Sequence, residues 1–132
     1  MRAKRSVDPD LGHHYRSGLE RSIAGVLKKT GTPFEFETMK IAYEIPNRVA
    51  TYTPDFILPN SIIIEAKGRF ENKDRQKHLL VKAQNPELDI RFVFNNPNSF
   101  ISKASNTTYA MWCEKHGFKY ARNLIPKDWI NE

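Results

Sequence analysis

The chain has 132 residues, 39% hydrophobic and 27% charged, a formal net charge of +6 and a sequence pI of about 9.5. That length and mixture describe one globular domain and exclude an intrinsically disordered chain; the single Cys113 excludes a disulfide framework. No apolar run reaches the length of a signal h-region or a membrane span, so a soluble, intracellular protein with no membrane association is expected, and its excess of Lys and Arg suits a polyanion.

Residues 1–15 carry Arg2, Lys4, Arg5, His13 and His14 among few apolar residues, and read as a flexible basic arm. Such an arm either follows a nucleic-acid backbone or is simply solvated. Residues 16–132 form the domain proper. A helix is predicted from about Ser17 to Thr30, with Leu19, Ile23, Val26 and Leu27 on one face and Gly31 as its stop. Ser17-Gly18-Leu19-Glu20 is a capping-box pattern in which Glu20 reaches back to the Ser17 N–H. A carboxylate at that first turn could equally lie over a metal site, and spacing does not decide between the two.

Residues 34–45 are strand-like, but the alternation changes phase: Phe34 and Phe36 are even, while Met39, Ile41, Tyr43 and Ile45 are odd. A bulge or kink near Glu37 and Thr38 reconciles them. Residues 46–53 read as too extended for a tight hairpin loop, and as a bridge between two packing units that could be exchanged between protomers.

The central stretch runs from Pro54 to Lys67. Two apolar runs, Phe56 to Leu58 and Ile62 to Ile64, flank Pro59-Asn60-Ser61, the pattern of a hairpin. Glu65 and Lys67 share a strand face, by alternation. A two-residue loop would put Asp55 on the wrong face, whereas the three-residue loop 59–61 sets it directly across from Glu65. Two adjacent, partly buried carboxylates repel each other, and a hard divalent cation relieves the repulsion; magnesium fits best. Such a cation can polarise a phosphodiester oxygen, with Lys67 placed to orient water or stabilise the developing charge. The spacing resembles that of a PD-(D/E)xK nuclease motif. A surface hairpin with a Glu65–Lys67 ion pair would show the same residues.

The densest basic run follows, with Arg69, Lys73, Arg75, Lys77, His78 and Lys82. Asn72 is the expected cap of a helix from about Lys73 to Gln84 burying Leu79, Leu80 and Ala83, its polar face offering Lys73, Lys77 and Arg75 to phosphates. Residues 89–94 read as a strand with Ile90, Phe92 and Phe94 on one face, and 95–107 as a surface loop. A helix over 108–116 buries Tyr109, Trp112 and Cys113; a short strand at 118–121 and a helix opened by Pro126, with Trp129 docked, complete the chain.

Arg16-Ser17-Gly18-Leu19-Glu20, Tyr52-Thr53-Pro54-Asp55-Phe56, Leu58-Pro59-Asn60, Glu65-Ala66-Lys67-Gly68, Lys77-His78-Leu79-Leu80, Pro86-Glu87-Leu88-Asp89-Ile90-Arg91, Cys113-Glu114-Lys115-His116-Gly117 and Leu124-Ile125-Pro126 together resemble the phage-type endonuclease I family. That family comprises Holliday-junction resolvases of the PD-(D/E)xK superfamily, and the similarity covers nearly the whole chain from Arg16. The resemblance implies an α/β fold, a restriction-endonuclease-like mixed sheet flanked by helices. It implies that Asp55 and Glu65 bind divalent metal, that Glu20 completes the site, with Ala66 in the ligand set, and that Lys67 acts beside the metal. One or two Mg2+ ions per site are expected, with Mn2+ as a substitute, and no small-molecule cofactor. The family forms a domain-swapped homodimer in which Glu20 of one chain meets Asp55, Glu65 and Lys67 of the other across a bridge corresponding to residues 46–53. The substrate implied is branched DNA, four-way junctions above all, contacted through Arg2, Lys4, Arg5, Arg16, Arg69, Lys73, Arg75 and Lys77. Two other readings stay open: a repair or restriction-type nuclease of the same fold, which would cut linear duplex equally, and a non-catalytic branched-DNA-binding module.

Overall fold

The computed structural model describes residues 6–7, 14–45 and 47–132, with backbone alone at 6, 7 and 14. Arg2, Lys4, Arg5 and His13 lie outside the described residues. A short antiparallel pair, β1 (Ser6–Val7) with β2 (His14–Tyr15), precedes the first helix. Tyr15, assigned above to the basic arm, is instead a core residue, fully buried with its ring edge-on to Phe36 at 4.7 Å. A large aromatic with an apolar body contributes more there than in solvent.

Helix α1 (Gly18–Lys29) starts where the capping pattern places it: Ser17 Oγ accepts from the Glu20 N–H at 3.1 Å. Lys28 and Lys29 lie in its last turn, where they complement the helix dipole. Its apolar stripe, Leu19, Ile23, Ala24 and Leu27, is buried.

The phase change at residue 37 is a change of sheet. Strand β3 (Glu35–Phe36) ends at Glu37, whose φ of 53° turns the chain, and β4 (Ile41–Ile45) pairs with β5 (Arg48–Tyr52) in a separate two-stranded sheet. Ile45 pairs with Arg48, so the chain reverses in a two-residue turn containing Asn47 at φ 73°. The segment 46–53 is expected to be too extended for a tight turn, yet its residues 48–52 fold back on β4. Asn tolerates the left-handed region better than most residues, and the turn-prone Asn47 and Arg48 mark where the chain reverses.

The main sheet has the order β3, β6 (Phe56–Ile57), β7 (Ile62–Lys67), β8 (Asp89–Phe94), β9 (Lys119–Arg122). It is mixed: β3, β6 and β7 are antiparallel, whereas β7, β8 and β9 are parallel and are joined through α2 (Asn72–Gln84) and α3 (Tyr109–His116). One face packs Phe56, Ile62, Ile64 and Val93 against α1 and against Trp129 of α4 (Lys127–Ile130). The other packs Ile63, Ile90, Phe92 and Phe94 against Val81 of α2 and Tyr109, Trp112 and Cys113 of α3. Central strands buried on both faces read as continuous apolar runs, and Ile62-Ile63-Ile64 is one. Arg91 is the exception, satisfied by both Glu132 carboxylate oxygens at 2.6 and 2.7 Å and by Asp89. No helix among the described residues is long and apolar enough to cross a membrane.

Helix α2 corrects two expectations. Its N-cap is Glu71, one residue before Asn72, and its buried row is Arg75, His78 and Val81, with Leu79 and Leu80 half-buried and Ala83 exposed. The helix turns a polar row toward the charged end of β7, and that burial is possible because the Arg75 guanidinium donates to the carbonyls of Phe70 and Ile101.

Candidate active site

Ser61 lies at φ 71° and closes a three-residue turn: the Ser61 N–H donates to Leu58 O, the Leu58 N–H donates to Ile62 O, and Phe56 pairs with Ile64. Continuing that register sets Asp55 opposite Glu65, on one face, as the odd-length turn demands. The two are tied through the backbone. The Asp55 N–H donates to Glu65 Oε2 at 2.8 Å, and the Ala66 N–H donates to Asp55 Oδ2 at 2.9 Å.

Helix α1 brings in Glu20, which is buried. Its Oε1 accepts from the Arg16 N–H at 2.8 Å, one residue further back than the capping box predicts, so capping and placement at the site coexist. The turn after β3 adds Glu37, which sequence reading missed as a site residue. One carboxylate oxygen each of Glu20, Glu37 and Asp55 lies within 4.8 Å of the other two. The phase break at 37 was the signal, because a left-handed residue re-aims its side chain.

Glu65 stands apart from that trio. Its Oε1 faces His78 Nε2 at 3.5 Å and Lys67 Nζ at 4.0 Å, and Lys67 also approaches Asp74 at 3.6 Å. The spacing of strand and helix explains the match. Glu65 and Lys67, two residues apart on β7, are separated by roughly 6.6 Å, and His78 and Asp74, four apart on α2, by about 6 Å. An (i, i+4) pair on the helix thus meets an (i, i+2) pair on the strand.

The electrostatics follow from burial and crowding. Burial pushes the Asp55 carboxyl well above the usual range, and the nearby Glu65 and Glu20 charges push it further. Burial raises Glu20 too, helped by Glu37 and opposed by its hydrogen bond from Arg16. For Glu65 burial acts in the same direction but is outweighed by His78, Lys67 and the Asp55 N–H, which hold it low. Burial would lower the Lys67 ammonium, yet Glu65, Asp74 and Asp55 raise it, so Lys67 is charged.

The donor set fits a hard divalent cation: oxygen ligands converge, and the repulsion that raises Asp55 and Glu20 is what such an ion relieves. Ala66 offers only its main-chain carbonyl, since its N–H is engaged by Asp55. Of the basic residues proposed for DNA, Arg16, Arg69 and Lys73 are exposed and Lys77 is half-buried, with its ammonium 5.8 Å from the Tyr52 ring centroid. Arg16 also approaches Glu37 at 3.7 Å. Arg75, only 6% exposed, is committed to main-chain carbonyls and is withdrawn from the basic face.

The model of the family described as phage endonuclease I matches residues 2–132. The chain is 51% identical over 118 residues to "Endonuclease I" of Escherichia phage T7, covering 89% of this chain and 79% of that one. It is 48% identical over 121 residues to "Endodeoxyribonuclease 1" of Enterobacteria phage T3, covering 92% and 80%. A match across nearly the full length, on the fold and acidic site described, carries one conclusion: the chain belongs to the phage endonuclease I family.

Proposed function

We propose that the chain is a structure-selective DNA endonuclease that resolves four-way junctions and other branched DNA by Mg2+-dependent phosphodiester hydrolysis, on a restriction-endonuclease-like fold and as a homodimer making paired cuts. The observation that carries this reading is the convergence of Glu20, Glu37 and Asp55 beside Glu65 and a charged Lys67, at the carboxyl end of β7, in a chain of net charge +6.

Asp55, Glu20 and Glu37 would hold the cation, with Glu65 beside them. Bound there, it supplies Lewis-acid polarisation of a phosphodiester oxygen. Lys67 contributes fixed positive charge and N–H donors, aimed at the oxygens on which charge grows as the phosphorane forms. Asp74 and Glu65 keep its ammonium protonated and in place. The products expected are a 5′-phosphate and a 3′-hydroxyl. Arg16, Arg69, Lys73 and Lys77 contact the DNA backbone, which records branch geometry more than base sequence.

Two equivalent cuts suit a two-fold dimer on a near-two-fold junction. An exchanged dimer would open at the β4–β5 turn. Glu20 and Glu37 precede that turn and Asp55, Glu65 and Lys67 follow it, so opening it would let two chains trade halves of each site.

The deciding experiment compares cleavage of an immobile four-way junction with the matching linear duplex, in magnesium and in chelator, for the wild type and Glu65→Ala. Magnesium-dependent cuts confined to the junction and lost in Glu65→Ala are expected. Equal cutting of both substrates would favour a less selective nuclease, and tight binding without cuts a binding module.

A further inference from the structure

Behind Glu65 lies a small buried polar group that the proposed chemistry leaves unused. His78 is fully buried; among the described residues its Nδ1 and the buried Tyr52 hydroxyl have no hydrogen-bond partner, and its Nε2 faces Glu65 Oε1 at 3.5 Å, short of a made hydrogen bond. Buried polar atoms left unpaired are uncommon and cost free energy, so their retention needs a reason other than packing. The imidazole is also clamped. Tyr52 packs on it edge-on at 5.2 Å and 84°, and Phe92 at 4.9 Å and 85°, so the direction of Nε2 is fixed toward Glu65.

We infer that His78 is a positioning residue for the metal site, its Nε2–H held against Glu65 Oε1 so that both oxygens of that carboxylate are addressed by the chain itself. The other oxygen, Oε2, is already fixed by the Asp55 N–H. A carboxylate packed beside three others must be kept in one orientation against their repulsion, and outer partners of the groups at a metal site supply that restraint. Lys67 cannot do it alone, because at 4.0 Å from Oε1 it is divided between Glu65 and Asp74.

The inference rests on the metal-dependent reading of the site, and its test separates the two. Mn2+ binding to the DNA-free protein is measured by the loss of the free-ion electron paramagnetic resonance signal, for the wild type, His78→Gln and His78→Met. Gln keeps an N–H donor near the position of Nε2, and Met has similar length without one. His78→Met is expected to bind Mn2+ about tenfold or more weakly, and His78→Gln within about threefold of the wild type. In cleavage, His78→Met should lower kcat while leaving the KM for junction DNA unchanged. Equal Mn2+ affinity in all three proteins overturns the inference, as does equal weakening in both variants, which would make the ring's packing the cause. If His78→Met does not fold, His78→Leu replaces it; failure of both makes His78 a structural residue and also overturns the inference. A wild type that binds no Mn2+ overturns the metal reading itself along with it.

Discussion

Asp55 and Glu65 hold one another in place across the β6–β7 hairpin: the Asp55 N–H donates to Glu65 Oε2 at 2.8 Å, and the Ala66 N–H, next along β7, donates to Asp55 Oδ2 at 2.9 Å. The two carboxylates are therefore fixed by strand register as well as by rotamer. A slip of one residue would turn Asp55 to the other face. Register depends in turn on Ser61 at φ 71°. Ser61→Val should cost about 1–2 kcal/mol in urea unfolding and reduce cleavage, whereas Ser61→Gly should be neutral or stabilising. Equal stability of the two variants would mean that the turn does not set the register.

Exchange of halves between chains has a sharp signature. Glu20→Gln and Asp55→Asn should each be inactive alone. If sites are shared across the dimer, refolding the two together yields heterodimers with one intact site, and nicking of one junction strand returns. If each site is built within one chain, as the single chain places Glu20 and Asp55 here, mixing restores nothing.

Lys67→Ala should lower kcat by about 10²–10³-fold, the usual loss on removing a donor from developing negative charge, and leave junction affinity nearly unchanged. Gel-shift and single-turnover measurements at one salt concentration check both. A parallel loss of binding would contradict the division between Lys67 and the exposed basic residues.

Arg75 and Lys73 should behave oppositely although only Asp74 separates them. Arg75→Gln removes a buried guanidinium from the carbonyls of Phe70 and Ile101 and should destabilise the fold by roughly 1–3 kcal/mol, with the slope of log affinity against log salt unchanged. Lys73→Ala should leave the melting temperature within error and reduce that slope by about 1.

The raised carboxyls make the cation-free protein sensitive to pH. Glu20 and Asp55, raised chiefly by burial, bind protons in the folded state that the unfolded chain has already released, so their contribution to stability falls as pH rises from the ordinary carboxylate range through their folded values. Glu65, held low, acts in another window: its contribution is present above the ordinary range and lost as pH falls through its depressed folded value. The proposed Mg2+ would bind the deprotonated site, so the gain in melting temperature on adding Mg2+ should grow from pH 5 to pH 8. A gain independent of pH would place the ion elsewhere.

Local signals in the chain were enough for α1 to α4 and β6 to β9 in order, though not for β1, β2 or the β4–β5 hairpin, and for Ser17 as a cap and the three-residue turn that sets Asp55 across from Glu65, because capping, alternation and turn length act over a few residues. The break at Glu37 was visible as a lost phase, but its meaning was not. Only the tertiary structure decided that the chain there leaves one sheet for another and that Glu37 joins Glu20 and Asp55. The inward row of α2 was hidden for a related reason. Arg75 read as part of a polar face and His78 as one of a basic run, and they are buried because the carbonyls of Phe70 and of the distant Ile101 satisfy the first and Glu65, thirteen residues earlier, faces the second. Hydrogen bonding and charge between segments far apart in sequence leave no periodicity to read, so the partners of the acidic site emerge only when the sheet and helix meet.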